Sequence, residues 1–305
     1  MRRTTEIFSP RIVALLVAAA GMATYSSPAT AEPASRFTQP IYRVALEESA
    51  EKTPQLASRI AVAAPAQTFD LTQRPGEHPL MPALRMAKDV LQDFDANVAD
   101  YSAILRKQER IGGELGEEEI AYVKVRNKPF AVHMYFLRPH KGRECLYNDG
   151  PGGAKGVLVA RDCGWKRRIG AIELDPEGTL AMKGQKYPIM KLGLRNLTTE
   201  LIDVANNDVN FGECEVVVSQ NKINDRPVTQ LVVTHPTPRR NFRFHKAEVF
   251  IDNELRVPIR YAAYMWPERP GSTPPLEEAY TYLNLKINNG FTDADFSKDN
   301  PEIFK

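Results

Sequence analysis

Residue types able to carry chemistry are thinly spread along this chain. Its five histidines are His78, His133, His140, His235 and His245. None forms His-x-x-x-His or sits in a His-Glu-x-x-His frame, so the ligand spacing of a zinc hydrolase is missing. His133 alternates with apolar neighbours and reads as a hydrogen-bonded core group rather than a ligand. There is no Gly-x-Ser-x-Gly, hence no nucleophile elbow. The run Gly150-Pro151-Gly152-Gly153-Ala154-Lys155-Gly156 lacks both the Gly-Lys-Ser/Thr ending and the following helix of a phosphate loop, and reads as a hairpin tip. Asp293 and Asp295 are spaced like calcium ligands but lack the Gly and distal Glu of that loop; they read as turn and capping residues. The expectation is a protein that is not an enzyme and uses no cofactor or metal.

The three cysteines are Cys145, Cys163 and Cys214. An exported chain permits one disulfide and a free thiol, with Cys145–Cys163 the preferred pair because both lie on what read as neighbouring strands. The alternative is three small buried hydrophobes.

Binding is better served than catalysis. Met134, Phe136, Tyr261, Met265, Tyr280 and Tyr282 are large, adaptable side chains expected to point inward from their strands, suited to an irregular apolar ligand. The plainer reading is that they fill the core. Two basic clusters accompany them. One is Arg161 with Lys166, Arg167 and Arg168. The other is Arg239, Arg240, Arg243, His245 and Lys246, interleaved with Phe242 and Phe244. If both flank a cavity mouth they attract anionic headgroups or a membrane surface, at roughly 1 kcal/mol per charge; otherwise they form a solvated rim.

The elements that must position these residues come in two styles. Leu80, Leu84, Ala87, Leu91 and Phe94 recur at helical spacing with Arg85, Lys88, Asp89 and Asp93 opposite, predicting an amphipathic helix that ends near Asn97. From Asp100 the period becomes two. Hairpins are expected over Tyr101–Arg110, Ile120–Arg126, Phe130–Arg138, Arg143–Asn148 and Gly156–Arg161. Trp165–Leu180 reads as irregular. Tyr187–Ala205 is helical in pattern, with Gly193 able to split it. Strands resume at Glu213–Asn221, Pro227–His235, Phe244–Ile251 and Val257–Trp266. The last, Tyr280–Asn288, stops at Asn289-Gly290. The fold class is α+β: a curled antiparallel sheet, a half-open β-barrel of about ten strands, with two helices on its concave side. If the helices do not fill that side, a cavity remains.

Ahead of the domain lie two segments of other character. Arg2 and Arg3, the apolar run Ile12–Met22 and Ala29-Thr30-Ala31 have the layout of a secretory signal peptide over residues 1–31, cleaved after Ala31; the apolar run is shorter than the about 20 residues of a spanning helix. Export to the periplasm or the outside follows. Losing Arg2, Arg3, Arg11 and Glu6 takes the 40 Lys and Arg to 37 and the 38 Asp and Glu to 37. A balanced mature chain has no footprint for nucleic acid. Residues 32–78, punctuated by Pro33, Pro40, Pro54, Pro65 and Pro75, read as a disordered leader, leaving 79–305 as the domain.

With the elements placed, a resemblance can be stated. The closing pattern Leu285-Lys286-Ile287-Asn288-Asn289-Gly290-Phe291-Thr292-Asp293-Ala294-Asp295-Phe296 resembles the lipoprotein localisation factor (LolA-like) superfamily. The runs HPLMPALRMAKDVL, VKVRNKPFAVHMYFLRPHKGRE, LDPEGTLAMKGQKYPI and LGLRNLTTELI resemble the exported bacterial family called domain of unknown function 1571. The superfamily resemblance implies a half-open barrel lidded by helices and holding acyl chains. The chain departs from the carriers in its long leader and in lacking an identifiable lid-locking Arg, so the implied ligand is a lipid, lipoprotein acyl chain or other apolar molecule. The alternative is a cell-envelope interaction or structural domain whose hollow is filled by its own side chains. Nothing in the sequence speaks to oligomeric state.

Overall fold

The structure, a computed structural model, describes residues 69–305. The signal segment and the leader up to residue 68 lie outside the described residues. The remainder of the expected leader, from Phe69 to His78, is packed rather than loose. Phe69 and Leu71 lie against the core, and Glu77 pairs with Arg85. Two apolar side chains and an ion pair tie this stretch down, so the domain begins ahead of Pro79.

Helix α1 (Met81–Asn97) opens with Pro82 in its first turn, where a missing N–H costs nothing. Its buried stripe is Ala83, Leu84, Met86, Val90 and Phe94, so Val90 rather than Leu91 faces inward. The chain then enters β1 (Asp100–Ile111), which pairs with the two-residue β2 (Glu114–Leu115) and with β3 (Glu119–Asn127). Hairpins continue through β4 (Phe130–Arg138), β5 (Glu144–Asn148), β6 (Val157–Arg161) and the short β7 (Ile172–Leu174).

Gly193 does split the second helical pattern. A 3-10 turn covers Ile189–Lys191, Gly193 sits at φ 113°, and α2 (Leu194–Asp208) follows. The Gly193 position needs glycine twice over, for that φ and because a Cβ there would lie 2.9 Å from the Tyr101 hydroxyl. The same hydroxyl accepts the Leu194 N–H at 2.9 Å, satisfying an otherwise orphaned donor of α2.

Strands β8 (Glu215–Ile223), β9 (Arg226–Thr234), β10 (Lys246–Asp252), β11 (Val257–Tyr264) and β12 (Leu276–Ile287) complete one antiparallel sheet. It has twelve strands in the order β7-β6-β5-β4-β3-β1-β12-β11-β10-β9-β8, with β2 attached to β1. The excess over ten is β2 and β7, too short to show alternation. The sheet does not close; β7 and β8 are its two edges. At its centre the first and last long strands lie side by side. The turn after β12 is clamped by the buried Asp100 carboxylate, which accepts the N–H groups of Asn289, Gly290 and Phe291 at 2.6, 3.0 and 3.0 Å.

Both helices lie on one face of the sheet, against Leu231, Val249, Ile251, Tyr261 and Ala263 on one side and Tyr101, Val125 and Tyr282 on the other. The opposite face of β4–β6 is covered by the C-terminal tail, where Phe296 and Ile303 pack on Ala131 and Leu146. There His133 meets Glu144 at 2.7 Å, and the same carboxylate accepts the Phe304 N–H at 2.8 Å. His133 is the hydrogen-bonded core group expected. Asp295 caps the turn at Thr292, and Asp293 pairs with Arg126 at 2.6 Å.

Candidate functional site

The helices do not fill the face they lie on. A hollow of about 940 Å³ remains between the inner faces of β1, β3–β6 and β11–β12, helix α2, and the irregular segment from Asp162 to Gly193. That is near the top of the roughly 300–1,000 Å³ range of ordinary ligand pockets. Its apolar wall includes Met134, Phe136, Leu158, Leu174, Ile189 and Leu192. Period-two alternation explains why the strand residues are there: Val132, Met134 and Phe136 share a face of β4, as Tyr280 and Tyr282 do on β12.

One end of the hollow is polar. Lys107 lies opposite both Glu119 on β3 and Tyr280 on β12, and Glu109 lies opposite Glu278. The Lys107 ammonium is 2.9 Å from Glu119 and 3.4 Å from Glu109. The Glu109 carboxylate accepts the Tyr280 hydroxyl at 2.6 Å, and Glu278 accepts the Tyr261 hydroxyl at 3.3 Å. Burial first, then the neighbouring carboxylates, push the Tyr280 phenol far above its ordinary range, so it remains a donor. Two buried carboxylates facing each other would be unfavourable alone; donors on both sides make the row tenable.

Three consecutive residues of the irregular segment complete that row. Gln185 accepts a hydrogen bond from Lys107. Lys186 places its ammonium 2.7 Å from Glu277 and 2.9 Å from Glu278, and its N–H donates to Glu109 at 3.0 Å. The Tyr187 hydroxyl donates to Glu278 at 2.8 Å and accepts from Arg243. Burial would pull the Lys186 ammonium down, but the two carboxylates outweigh it and hold it above its ordinary value. Residues 162–193 therefore form a cap over the hollow, pinned to the sheet by ion pairs at one end.

The expected ligand-facing residues Met134, Phe136, Tyr261, Tyr280 and Tyr282 all line this hollow. Met265 does not; it packs with the cluster under α1. Strand β11 ends at Tyr264, so the alternation that would aim Met265 with Tyr261 stops one residue short. The two basic clusters do not both flank the mouth. Arg239 pairs with Glu213, Lys246 lies 2.8 Å from Glu248, and Arg240 is exposed away from the hollow. From that cluster Arg243 alone lines the hollow, bound to Glu200 and Tyr187. From the first cluster Arg161 and Lys166 line it, whereas Arg167 donates to the Gly142 carbonyl at 3.2 Å and Arg168 is exposed beside it.

Sequence reasoning missed Lys107, Glu109, Glu119 and Glu278. The signal was present: Lys107 and Glu109 continue the inward register of Ala103 and Leu105, and Glu278 that of Tyr280 and Tyr282. A charge at an inward strand position is the mark of a buried network.

The preferred disulfide is absent: all three cysteines are free. Cys145 lies opposite Ala160 on β6, and Cys163 falls beyond the end of that strand. Burial pushes the Cys145 thiol up to about 12, leaving it protonated and unreactive in the hollow's wall. Among the described residues no group of three or more His, Cys, Asp or Glu is placed to hold a metal ion, and no helix is long and apolar enough to cross a membrane.

Comparison with known proteins gives a family and several distant structural likenesses. A family model described as "Protein of unknown function (DUF1571)" matches residues 98–303. Among curated proteins no match is found. Solved structures similar to this chain include a DUF1329 family protein from Desulfovibrio piger (12% identity, TM-score 0.36, covering 72% of this chain and 98% of that one). A LolA superfamily protein from Nitrosomonas europaea is similar at 12% identity and a TM-score of 0.26, over 70% of this chain and 98% of that one. The lipoprotein LppX of Mycobacterium tuberculosis is similar at 14% identity and a TM-score of 0.36, over 68% of this chain and 98% of that one.

Proposed function

The chain belongs to the DUF1571 family, and we propose that it is an exported binding protein that holds a lipid, an acyl chain or another elongated apolar molecule beneath the cap. The observation that carries this reading is the hollow of about 940 Å³ between sheet, α2 and cap, with Met134, Phe136 and Tyr282 in its wall. A dry, empty space of that size would cost on the order of 20 kcal/mol at ~24 cal/mol per Å³. That exceeds the ~5–15 kcal/mol net stability of a domain, so the interior holds solvent or a guest. The apolar wall favours a guest with a hydrocarbon part. The row from Lys107 to Glu278 supplies donors and acceptors for a polar end.

The reading of an interior filled by its own side chains is disfavoured by the same volume.

Two measurements test the proposal. Organic extracts of the purified protein, analysed by mass spectrometry, should contain lipid. Titration of the stripped protein with a fluorescent fatty acid should saturate at one or a few sites. Met134→Trp, which thrusts an indole into the hollow at about 1–3 kcal/mol of stability, should weaken that binding at least tenfold while the circular dichroism of the fold persists. Clean extracts together with no saturable fatty-acid binding would overturn the proposal.

A further inference from the structure

The cap exposes apolar side chains that a soluble loop normally hides. Trp165 is 76% exposed, Ile169 67% and Leu180 63%, and Ile172 is exposed as well. Of the nine exposed large hydrophobic residues among those described, four lie in this one segment. Ile169, Ile172 and Leu180 also line the hollow, so they stand at its mouth, part in the cavity and part in solvent. Trp165 and Ile169 belong to the 3-10 helix Gly164–Ile169, which carries Lys166, Arg167 and Arg168 between them.

Cations outnumber acids around this patch. The acidic residues of the cap are Asp162, Glu173, Asp175 and Glu177. Glu173 is 3.4 Å from Lys298, and Asp175 and Glu177 are 3.0 and 3.2 Å from Lys155. Lys166 leans 3.5 Å from Asp162. Lys183 and Lys191, both exposed, add to the cationic rim.

Resting on the proposal that the hollow takes an apolar guest, we infer that the cap face bearing Trp165, Ile169, Ile172 and Leu180 docks on a bilayer rich in anionic lipid, so that the mouth opens against the membrane and the guest passes between bilayer and hollow without crossing water. An indole and branched aliphatics interleaved with Lys and Arg is how amphipathic segments lie in the headgroup region. Trp is suited to that depth because its ring is apolar and its N–H is wet. The cations add roughly 1 kcal/mol each near an anionic surface. Three of the apolar residues, Ile169, Ile172 and Leu180, flank the entrance of the hollow, where a surface that supplies an apolar guest would have to lie.

The chain has two tryptophans, Trp165 and Trp266. In full-length protein carrying Trp266→Phe, Trp165 is the only indole. Its emission should shift to the blue with vesicles of phosphatidylglycerol and phosphatidylcholine, and acyl-brominated lipid should quench it. Pure phosphatidylcholine vesicles should produce neither effect. Arg167→Gln and Arg168→Gln should each weaken the response roughly fivefold, and raised salt should weaken it further. Because the reporter is Trp165 itself, binding through the N-terminal segment does not register. An unchanged Trp165 spectrum, or an equal response to both vesicle types, would overturn the inference and leave a protein partner as the occupant of this face. Fatty-acid binding in vesicle-free buffer separates the two claims. If it persists while Trp165 ignores vesicles, only the docking inference fails; if it is also absent, the binding proposal fails with it.

Discussion

Tyr101 concentrates much of the structural demand on single residues in this protein. It is fully buried, packs edge-on against Phe94 and Tyr282 at ring separations of 6.4 and 6.3 Å, and accepts the first N–H of α2. Burial pushes its phenol well above the ordinary range, so the hydroxyl stays neutral. Tyr101→Phe keeps the ring packing but leaves the Leu194 N–H buried without an acceptor. The expected loss is about 1–3 kcal/mol in chemical denaturation, with the m-value unchanged. A variant as stable as the parent would show that water reaches this helix start. Residue identity was readable where period two applied: Met134, Phe136, Tyr261, Tyr280 and Tyr282 line the hollow because parity along a strand is a local property. Met265 failed for the same reason in reverse, since parity ends where the strand does. Cys145 and Cys163 failed because pairing depends on register between strands, which one strand's sequence does not carry.

At the level of elements, the cap between β6 and α2 lies over the hollow. Its pins are ion pairs and hydrogen bonds from Gln185, Lys186 and Tyr187 to the floor row. Exposed ion pairs contribute little, but Glu278 is 3% exposed, and removing one partner of a buried pair strands the other. Lys186→Met should therefore loosen the cap more than it destabilises the sheet. Limited proteolysis should cut within residues 162–193 several times faster, and fatty-acid release should accelerate, while the main thermal transition moves by only a few degrees. Unaltered release kinetics in a variant with faster cleavage would show that the guest leaves by another route. Within the cap, Trp165–Leu180 read as irregular in sequence but holds the 3-10 helix Gly164–Ile169 and the short β7; the role of the cap was hidden because Lys186 reaches Glu109, 77 positions back, and Glu277, 91 positions on.

For the molecule as a whole, a guest bound only by the folded state should raise stability by mass action. At one hundred times its Kd this amounts to about 2.7 kcal/mol. Thermal denaturation of stripped protein with increasing fatty acid should show a midpoint that climbs with concentration, and Met134→Trp should flatten the climb. A midpoint indifferent to fatty acid in the wild type would place any binding outside the folded interior. The sequence by itself determined the succession of helix, hairpins, split helix and further strands, and the face each strand turns inward, because hydrophobic period and turn chemistry act over a few residues. Only the tertiary structure decided that first and last strands meet at the sheet's centre, that Lys107, Glu109, Glu119 and Glu278 converge, and that a capped hollow survives between sheet and helix. Those depend on how much volume the packed side chains leave over, and on long-range register, which no local stretch of the chain encodes.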